Sequence, residues 1–338
     1  MVTGASGFIG SFIVEQALAS GFEVWAGVRR TSSRRWLTDS RIRFLELDLT
    51  DKTSLLSQLE NFKSERGRFD YVVHAAGLTK ARERQEFFDV NTQATANLAD
   101  VLLELHLIPR RFVYLSSLSV MGAIREKRSP QPDGFNYAPI TVSDEPRPNT
   151  AYARSKLQAE DYLKSLPNLP LVILRPTGVY GPRERDYFLM ARSVARHVDC
   201  GAGFTPQEIT FIYVKDLVRA VFLACTKAPA GSVFLLSDGN TYSSRTFGRL
   251  LQREIGVSRV VRLTIPLFLL RLVCAVGGLW AKCGRLSVFN ADKYRILKQR
   301  NWRCDIEPAR SLLGFRPAFS LEQGVAETVK WYKQQGWL

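Results

Sequence analysis

Apolar residues along the first half of the chain follow two alternating patterns. Short apolar runs at 23–28, 42–47, 71–75 and 111–115 have the length and composition of buried strands. Between and after them, the segments 8–19, 52–61, 89–107 and 151–165 predict helices; in 89–107 the residues Leu98, Val101, Leu102 and Leu105 fall on one stripe. Strands that alternate with helices predict an α/β fold, a doubly wound parallel sheet.

The first ten residues, Met1 to Gly10, join a strand end to three glycines and the start of a helix. Gly4 permits a tight turn, Gly7 lets backbone amides approach a pyrophosphate, and Gly10 lets the helix pack close to the sheet. The positive end of the helix dipole points to the same place. Only three residues precede Gly4, so either the central strand is short or residues are missing upstream. The loop predicts a dinucleotide site formed by Gly4, Ser6, Gly7, Phe8, Ile9 and Gly10.

The ends of the next strands indicate which dinucleotide is bound. Arg29 and Arg30 follow the second strand, at the position where an acidic residue would bind the ribose of NAD and an arginine would accept the 2′-phosphate of NADP. We therefore expect NADP, with NAD left open. Small residues after the fourth strand would let the cofactor lie against the sheet, and His74 within that strand is interpreted as a core histidine. The further cofactor positions are Asp48, Leu49, Ala75, Ala76 and Gly77.

Candidate catalytic residues appear further along the chain. A proline-rich connection spans 123–149, a length that is uncommon unless the loop serves a site. On the helix that follows, Tyr152 and Lys156 lie one turn apart on the same face, and Ser117 follows the fifth strand. We expect Lys156 to lower the pKa of the Tyr152 phenol and to hydrogen-bond the nicotinamide ribose. Ser117 would hold the substrate oxygen while Tyr152 exchanges a proton and hydride passes to or from nicotinamide.

These motifs together resemble the extended short-chain dehydrogenase/reductase family, which contains nucleotide-sugar epimerases and dehydratases, dihydroflavonol reductases and 3β-hydroxysteroid dehydrogenases. The matching segments are 3–10, 74–77, 112–117, 152–156, 174–182, 211–216 and 313–317. The resemblance implies a catalytic set of Ser117, Tyr152 and Lys156, with Pro176 and Thr177 near the nicotinamide. We also expect Thr79, Ser119 and Arg183 to face the substrate, although Arg183 has the alternative of being a solvated side chain.

The resemblance also implies two domains. A Rossmann-type NAD(P)-binding domain would comprise 1–175 plus 211–237, and a smaller, mainly helical C-terminal substrate domain 176–210 plus 238–338. Within the latter we expect a helix over 183–196, a loop over 201–205 and mainly helices from 241 onward, while 214–225 and 232–236 return to the first domain.

Departures from the family patterns favour one reaction over others. Sugar 4,6-dehydratases carry Asp-Glu after the catalytic hydroxyl residue, whereas Leu118-Ser119 stands here. The asparagine that binds diphosphate in many epimerases is absent from Arg175-Pro-Thr-Gly178. The sequence thus predicts an NAD(P)-dependent oxidoreductase that interconverts a secondary alcohol and a ketone, with an apolar or sterol-like small-molecule substrate. A nucleotide-sugar epimerase and a cofactor-binding protein without chemistry remain alternatives.

Composition adds limits to this picture. The 338 residues carry a formal charge of +15, yet no nucleic-acid-binding motif accompanies it, so we expect no nucleic-acid partner. Five cysteines without a CxxC pair predict no metal site and a reducing cytoplasmic location, and no signal peptide is evident. The apolar stretch 263–280 has three interpretations: a core or dimer helix, a pocket wall, or a helix on a membrane. We expect a homodimer and a candidate peripheral membrane contact through 263–283.

Overall fold

The computed structural model describes residues 1–282 and 290–338. Strands and helices alternate through the first half, as the sequence predicts. A π-helical turn, Asp89–Gln93, lies between two α-helices, and a 3₁₀ turn, Leu118–Met121, follows the strand that ends at Leu115. The elements are β1 (Val2–Thr3), α1 (Phe8–Ala19), β2 (Trp25–Val28), β3 (Arg43–Glu46), α2 (Lys52–Arg66), β4 (Tyr71–His74), α3 (Arg84–Phe88), α4 (Ala94–Glu104), β5 (Arg111–Leu115), α5 (Ala151–Lys164) and β6 (Leu171–Pro176).

Shorter strands and more helices make up the second half. They are β7 (Gly178–Tyr180), α6 (Asp186–Ala195), β8 (Val198–Ala202), β9 (Glu208–Ile209), β10 (Phe211–Tyr213), α7 (Val214–Thr226), β11 (Ser232–Leu236), β12 (Tyr242–Ser243), α8 (Thr246–Ile255), β13 (Val261–Ile265), α9 (Leu267–Lys282), α10 (Ala291–Lys298), β14 (Asn301–Trp302), α11 (Glu307–Leu313) and α12 (Leu321–Gln334).

The main sheet has seven strands in the order β11-β6-β5-β4-β1-β2-β3, and its strand pairs are parallel. This confirms the predicted Rossmann-type α/β fold. Although β1 has only two residues, it pairs with β2 on one side and β4 on the other. The strand order reverses at β1, and ligands of such sheets bind at the carboxyl ends of the strands beside that point.

Each face of the sheet packs against helices. One face, with Val113, contacts α1 and α7 through residues such as Val14 and Val221. The opposite face, with Phe112, packs against α2, α4 and α5 through residues such as Leu102. Successive residues of β5 therefore point to opposite layers, which fixes the register of a sheet buried on both sides.

The second half contains a pair of strands, β8 and β13, where the sequence predicts a loop and an apolar helix. The predicted loop 201–205 begins inside β8, and the apolar stretch that follows 260 starts as strand β13, which pairs with β8 in parallel. The cause is a period of two: Arg262 faces the buried Asp199, whereas Val261 and Leu263 point the other way and are exposed. Of the segment 263–283, Cys283 lies outside the described residues.

Candidate active site

A groove with a volume of about 350 Å³ opens at the carboxyl ends of β1 to β4. Its wall includes nine of the positions that the sequence predicts for the cofactor: Gly4, Ser6, Gly7, Arg29, Asp48, Leu49, Ala75, Ala76 and Gly77. Phe8, Ile9 and Gly10 form the first turn of α1 directly after the loop. Arg30 is exposed and does not line the groove. The structure thus brings one of the two predicted arginines to this groove.

The glycine loop has the shape that a pyrophosphate needs. Gly4 has φ of +65°, and a Cβ there would lie 2.6 Å from the backbone nitrogen of Ala76. A Cβ on Gly10 would lie 2.1 Å from the carbonyl oxygen of Gly4. Helix α1 can therefore lie this close to the loop only if residue 10 is glycine. Gly7 caps α1 without a side-chain hydrogen bond, which leaves first-turn N–H groups to an anion. These residues fit the pyrophosphate of a dinucleotide.

The wall of the groove also contains one carboxylate, Asp48, and one guanidinium, Arg29. The Asp48 carboxylate accepts hydrogen bonds from the backbone N–H and the hydroxyl of Thr50, at 3.0 and 2.7 Å. Those two bonds, and to a lesser extent the nearby Arg29, lower the pKa of Asp48 and keep it ionised. The backbone N–H of Arg29 donates to Ser32 Oγ at 3.1 Å, and both residues line the groove.

Ser117 and Tyr152 come together from distant parts of the chain. Ser117 caps the 3₁₀ turn after β5, and its Oγ lies 2.7 Å from that of Ser119. Tyr152 stands in the first turn of α5, which Thr150 caps by accepting from the backbone N–H of Ala153 at 3.1 Å. Burial raises the pKa of Tyr152, and a hydrogen bond with Ser117 opposes this without reversing it. The expected lowering of the pKa of Tyr152 by Lys156 is therefore wrong for the protein alone, because burial, and not the Lys156 ammonium, decides the direction of the shift.

Lys156 is buried although it carries a cationic group. Its Nζ lies 4.2 Å from the centre of the Tyr114 ring, and burial lowers its pKa to about 7, with Glu160 opposing the shift. No hydrogen bond joins this ammonium to another of the described residues. A Cβ on Gly77 would lie 3.6 Å from Nζ, so Lys156 approaches the groove at its Gly77 wall. An unpartnered cation there fits the ribose hydroxyls of a dinucleotide.

A buried ion pair between Glu160 and Arg175 joins the catalytic helix α5 to strand β6. Glu160, one turn after Lys156, accepts from Arg175 Nε at 2.9 Å and from the Ser116 hydroxyl. Arg175 and Glu160 are both almost completely buried. Since Ser116 precedes Ser117, this pair ties the end of β5 to α5 and β6.

Two further positioning residues lie outside the predicted set of site residues. Asn91, in the π-helical turn, accepts from the Leu78 N–H at 2.7 Å and donates to Ser155 Oγ at 3.0 Å, which joins the loop after β4 to α5. No local sequence pattern indicates the link to α5, because Asn91 and Ser155 are 64 positions apart. Asp292, in α10, accepts from the Ala151 N–H at 2.7 Å, at the start of the catalytic helix. No local pattern connects residues 141 positions apart, so the sequence carries no signal for it.

The remaining predicted residues lie at the same edge of the sheet, with one exception. Pro176 ends β6, and the hydroxyl of Thr177 donates to the Thr210 carbonyl at 2.8 Å. Thr79 is exposed in the loop after β4. Arg183 instead lies against α1.

The contacts of Arg183 involve the first helix and its neighbours rather than Tyr152 or Ser117. Its guanidinium donates to Ser11 Oγ at 2.9 Å and to Glu15 at 2.6 Å, and it stacks on the Phe12 ring with its centre 4.3 Å away. The structure therefore does not bring Arg183 beside the catalytic residues. Its charge is already paired with Glu15.

Comparisons with known proteins identify the family of this chain. The family model described as "NAD dependent epimerase/dehydratase family" matches residues 1–236. The chain is 28% identical to "Sterol demethylase protein B" of Methylococcus capsulatus, with 99% of this chain and 98% of that protein covered. It is 26% identical to "UDP-glucose 4-epimerase" of Vibrio cholerae, with 99% and 95% covered.

A solved structure extends the similarity to the backbone. The structure of MoeE5 in complex with UDP-glucuronic acid and NAD is 26% identical and superposes with a TM-score of 0.74, with 99% of this chain and 98% of that chain covered. The match of the family model over more than half the chain decides the assignment. This chain belongs to the NAD dependent epimerase/dehydratase family, a family of enzymes that use a nicotinamide dinucleotide.

Proposed function

We propose that this enzyme is an NADPH-dependent reductase that converts an apolar, sterol-like ketone to a secondary alcohol. The observation that carries the proposal is the state of Tyr152. A phenol with its ordinary pKa near 10 is already protonated at neutral pH, and burial raises the pKa of Tyr152 further, so the group holds a proton beside Ser117. A protonated phenol is what reduction of a ketone requires, whereas oxidation of an alcohol requires the phenolate.

Each catalytic residue has a distinct role in this proposal. Ser117 donates a hydrogen bond to the substrate oxygen and orients it toward Tyr152. Tyr152 gives its proton to that oxygen as negative charge develops there. Lys156 hydrogen-bonds the nicotinamide ribose, and its positive charge stabilises the phenolate that remains. A bound reduced nicotinamide supplies the hydride.

NADPH is favoured over NADH by the groove wall. Arg29 follows β2, at the position where an acidic residue would bind the ribose 2′-hydroxyl of NAD, and it lines the groove with Ser32. A guanidinium at this position binds the 2′-phosphate of NADP through charge-assisted hydrogen bonds.

Arg29→Ala should therefore raise the Kd for NADPH by about 10- to 100-fold and leave the Kd for NADH nearly unchanged. The matched control is Arg30→Ala, because Arg30 has the same charge but lies outside the groove. Titration of the purified protein with each coenzyme measures both constants. Equal affinities for the two coenzymes in the wild type and in Arg29→Ala would contradict the preference.

The apolar substrate is supported by the surroundings of Tyr152. The Phe87 ring lies 6.1 Å from the Tyr152 ring, edge to face. Arg183, which could bind an anionic group of a substrate, is paired with Glu15 instead. The similarity to a sterol demethylase protein points in the same direction.

The decisive experiment follows NADPH oxidation with a panel of steroid and long-chain ketones and with UDP-sugars. We expect turnover with apolar ketones, and Tyr152→Phe should lower kcat by at least about a hundredfold with little change in NADPH affinity. Tyr162→Phe is the matched control, since Tyr162 lies on the same helix but donates to Asp100. A Tyr152→Phe enzyme with wild-type turnover would refute the mechanism.

A nucleotide-sugar epimerase is the second candidate, favoured by the similarity to a UDP-glucose 4-epimerase. It would convert UDP-sugars with no net change in NAD(P)H and would retain its cofactor through purification. Conversion of a UDP-sugar without consumption of NADPH, together with no reduction of ketones, would replace the first proposal by the second.

A further inference from the structure

Helix α9 exposes apolar side chains that packing against the rest of the protein does not fully cover. Leu270 and Cys274, one turn apart, are buried against the protein. Five other apolar side chains of the same helix are 43–66% exposed: Phe268, Leu269, Leu272, Val273 and Val276. A helix of a soluble protein normally turns polar residues to the solvent, so this face is built for contact with something apolar.

The apolar surface continues onto the neighbouring strands. Val261 and Leu263 of β13 are 59% and 48% exposed, on the sheet face that points away from Asp199. Phe204, which follows β8, is 78% exposed. A Cβ on the adjacent Gly203 would lie 3.0 Å from Leu267, so this loop lies beside the start of α9. We call these exposed side chains of α9, β13 and Phe204 the α9 surface.

The charged residues within the segment that carries β13 and α9 are all basic. Arg259 precedes β13, Arg271 lies in the middle of α9, and both are exposed. The sequence has no aspartate or glutamate between Glu254 and Asp292. Among the described residues, no carboxylate forms an ion pair with Arg259 or Arg271.

This combination selects among the possible occupants. In a two-fold dimer the same surface meets itself, and its arginines would face arginines with no carboxylate in the segment to compensate. An anionic bilayer offers an apolar layer for the leucines and phosphates for the arginines, whose long side chains reach out of the apolar layer. Helix α9 has 16 residues, about 24 Å, and among the described residues no helix is long and apolar enough to cross a membrane. We propose that the α9 surface docks the enzyme on the face of an anionic lipid bilayer, with α9 lying in the plane of the membrane.

Docking there would bring the catalytic helix close to the lipid. Helix α10 packs against α9, and its Asp292 accepts a hydrogen bond from Ala151, the residue before Tyr152. The membrane surface and the catalytic helix are thus separated by one helix. This arrangement suits an apolar substrate that is drawn from the bilayer, but the docking itself does not depend on the proposed reaction.

The test is flotation of the full-length purified protein with vesicles of phosphatidylcholine, with and without phosphatidylserine. We expect the wild type to float with the phosphatidylserine vesicles and much less with phosphatidylcholine alone. Leu272→Glu should lower the partition coefficient by at least about tenfold, because it removes one apolar contact and adds a like charge to the lipid. Arg271→Glu should abolish the preference for phosphatidylserine.

The control is Leu312→Glu, the same substitution at an exposed leucine of α11 outside the α9 surface. Leu312 is 58% exposed and Leu272 is 60% exposed, so both variants should fold with wild-type Tm. Leu312→Glu should float as the wild type does. The proposal is overturned if the wild type stays in solution with anionic vesicles or if both glutamate variants bind equally well. It is also overturned if Leu272→Glu only converts a dimer to a monomer, a result that would make the surface a subunit interface.

Discussion

Replacing Lys156 by methionine should make the cofactor-free protein more stable while it removes activity. Lys156 is 3% exposed, and its pKa falls from the usual 10.5 to about 7 because its charge is removed from water. The unfolded chain therefore binds this proton more tightly than the folded chain at pH values between about 7 and 10.5. Methionine has a similar length and no charge, so the variant avoids the cost.

The size of the effect follows from the two pKa values. At pH 7 the shifted pKa lowers the free energy of unfolding by about 4 kcal/mol relative to a folded chain whose lysine keeps its ordinary pKa. At pH 9.5 most of that difference is gone, and on the order of 1 kcal/mol remains. These figures already contain the favourable contact with Tyr114 and the attraction of Glu160, since both act on the same pKa.

The measurement is urea unfolding of the cofactor-free wild type and of Lys156→Met at pH 7 and pH 9.5. We expect the variant to be more stable by several kcal/mol at pH 7 and by much less at pH 9.5. Lys330→Met on α12 is the control: Lys330 is exposed, so its replacement should change the free energy of unfolding by less than about 0.5 kcal/mol at either pH.

Two results would contradict this reasoning. A variant that unfolds at the same or lower urea concentration at pH 7 would show that the ammonium is not desolvated. An equal gain at pH 7 and pH 9.5 would show that the stabilisation comes from packing and not from the charge.

Three other predictions concern residues that do not line the groove. Burial lowers the pKa of His74 to about 3, so between about pH 6.5 and pH 3 the unfolded chain takes up a proton that the folded chain does not. At pH 5 this difference should cost about 2 kcal/mol of stability. A His74 ring signal that titrates near pH 6 in NMR spectra would contradict this. Glu160→Gln leaves Arg175 as an uncompensated buried charge and should lower the free energy of unfolding by about 3–5 kcal/mol in urea titrations, and a loss below about 1 kcal/mol would show that the pair is solvated. Asp292→Ala should lower kcat with little change in coenzyme affinity because α5 loses a first-turn acceptor, whereas Asp292→Asn should restore part of kcat; equal kcat in both variants would deny the residue a positioning role.

The features that the sequence predicts well are those that neighbouring residues determine. The loop from Gly4 to Gly10 requires glycine for its backbone conformation and for its close contacts, which include the residues after β4. All of the glycines concerned lie within the first ten residues, so the sequence alone reveals the loop. Strand β5 and the start of α5 likewise match the expected boundaries, because an apolar run and the Thr150 cap are local signals. The roles expected for Ser117, Tyr152 and Lys156 stay predictions, although the structure brings Ser117 beside Tyr152 and Lys156 to the groove wall.

The features that the sequence does not reveal depend on distant partners. Arg183 follows a motif at the edge of the site, yet its charge is used by Glu15, which lies 168 positions earlier. The pairing of β8 with β13 turns a predicted loop into a strand because the two segments meet only in the folded chain. The pKa of Tyr152 has the same origin: an adjacent lysine on the helix suggests a lowered value, but burial, which no local pattern reports, decides the direction.

The two perturbed groups of the site shift in directions that belong together. Burial raises the pKa of Tyr152 and lowers that of Lys156, so the protein alone favours the neutral form of each. A site that holds a neutral phenol next to an under-charged lysine does not stabilise a phenolate before the substrate arrives. It does stabilise the proton on Tyr152, and the proton must be there if a ketone is to receive it. Bringing a dinucleotide's phosphates and ribose hydroxyls into the groove would favour the charged form of Lys156, and the phenolate left after proton transfer would then meet a full positive charge. The burial that makes Lys156 costly for folding is thus the same burial that keeps the proton on Tyr152, and we expect Lys156→Met to gain stability and to lose activity together.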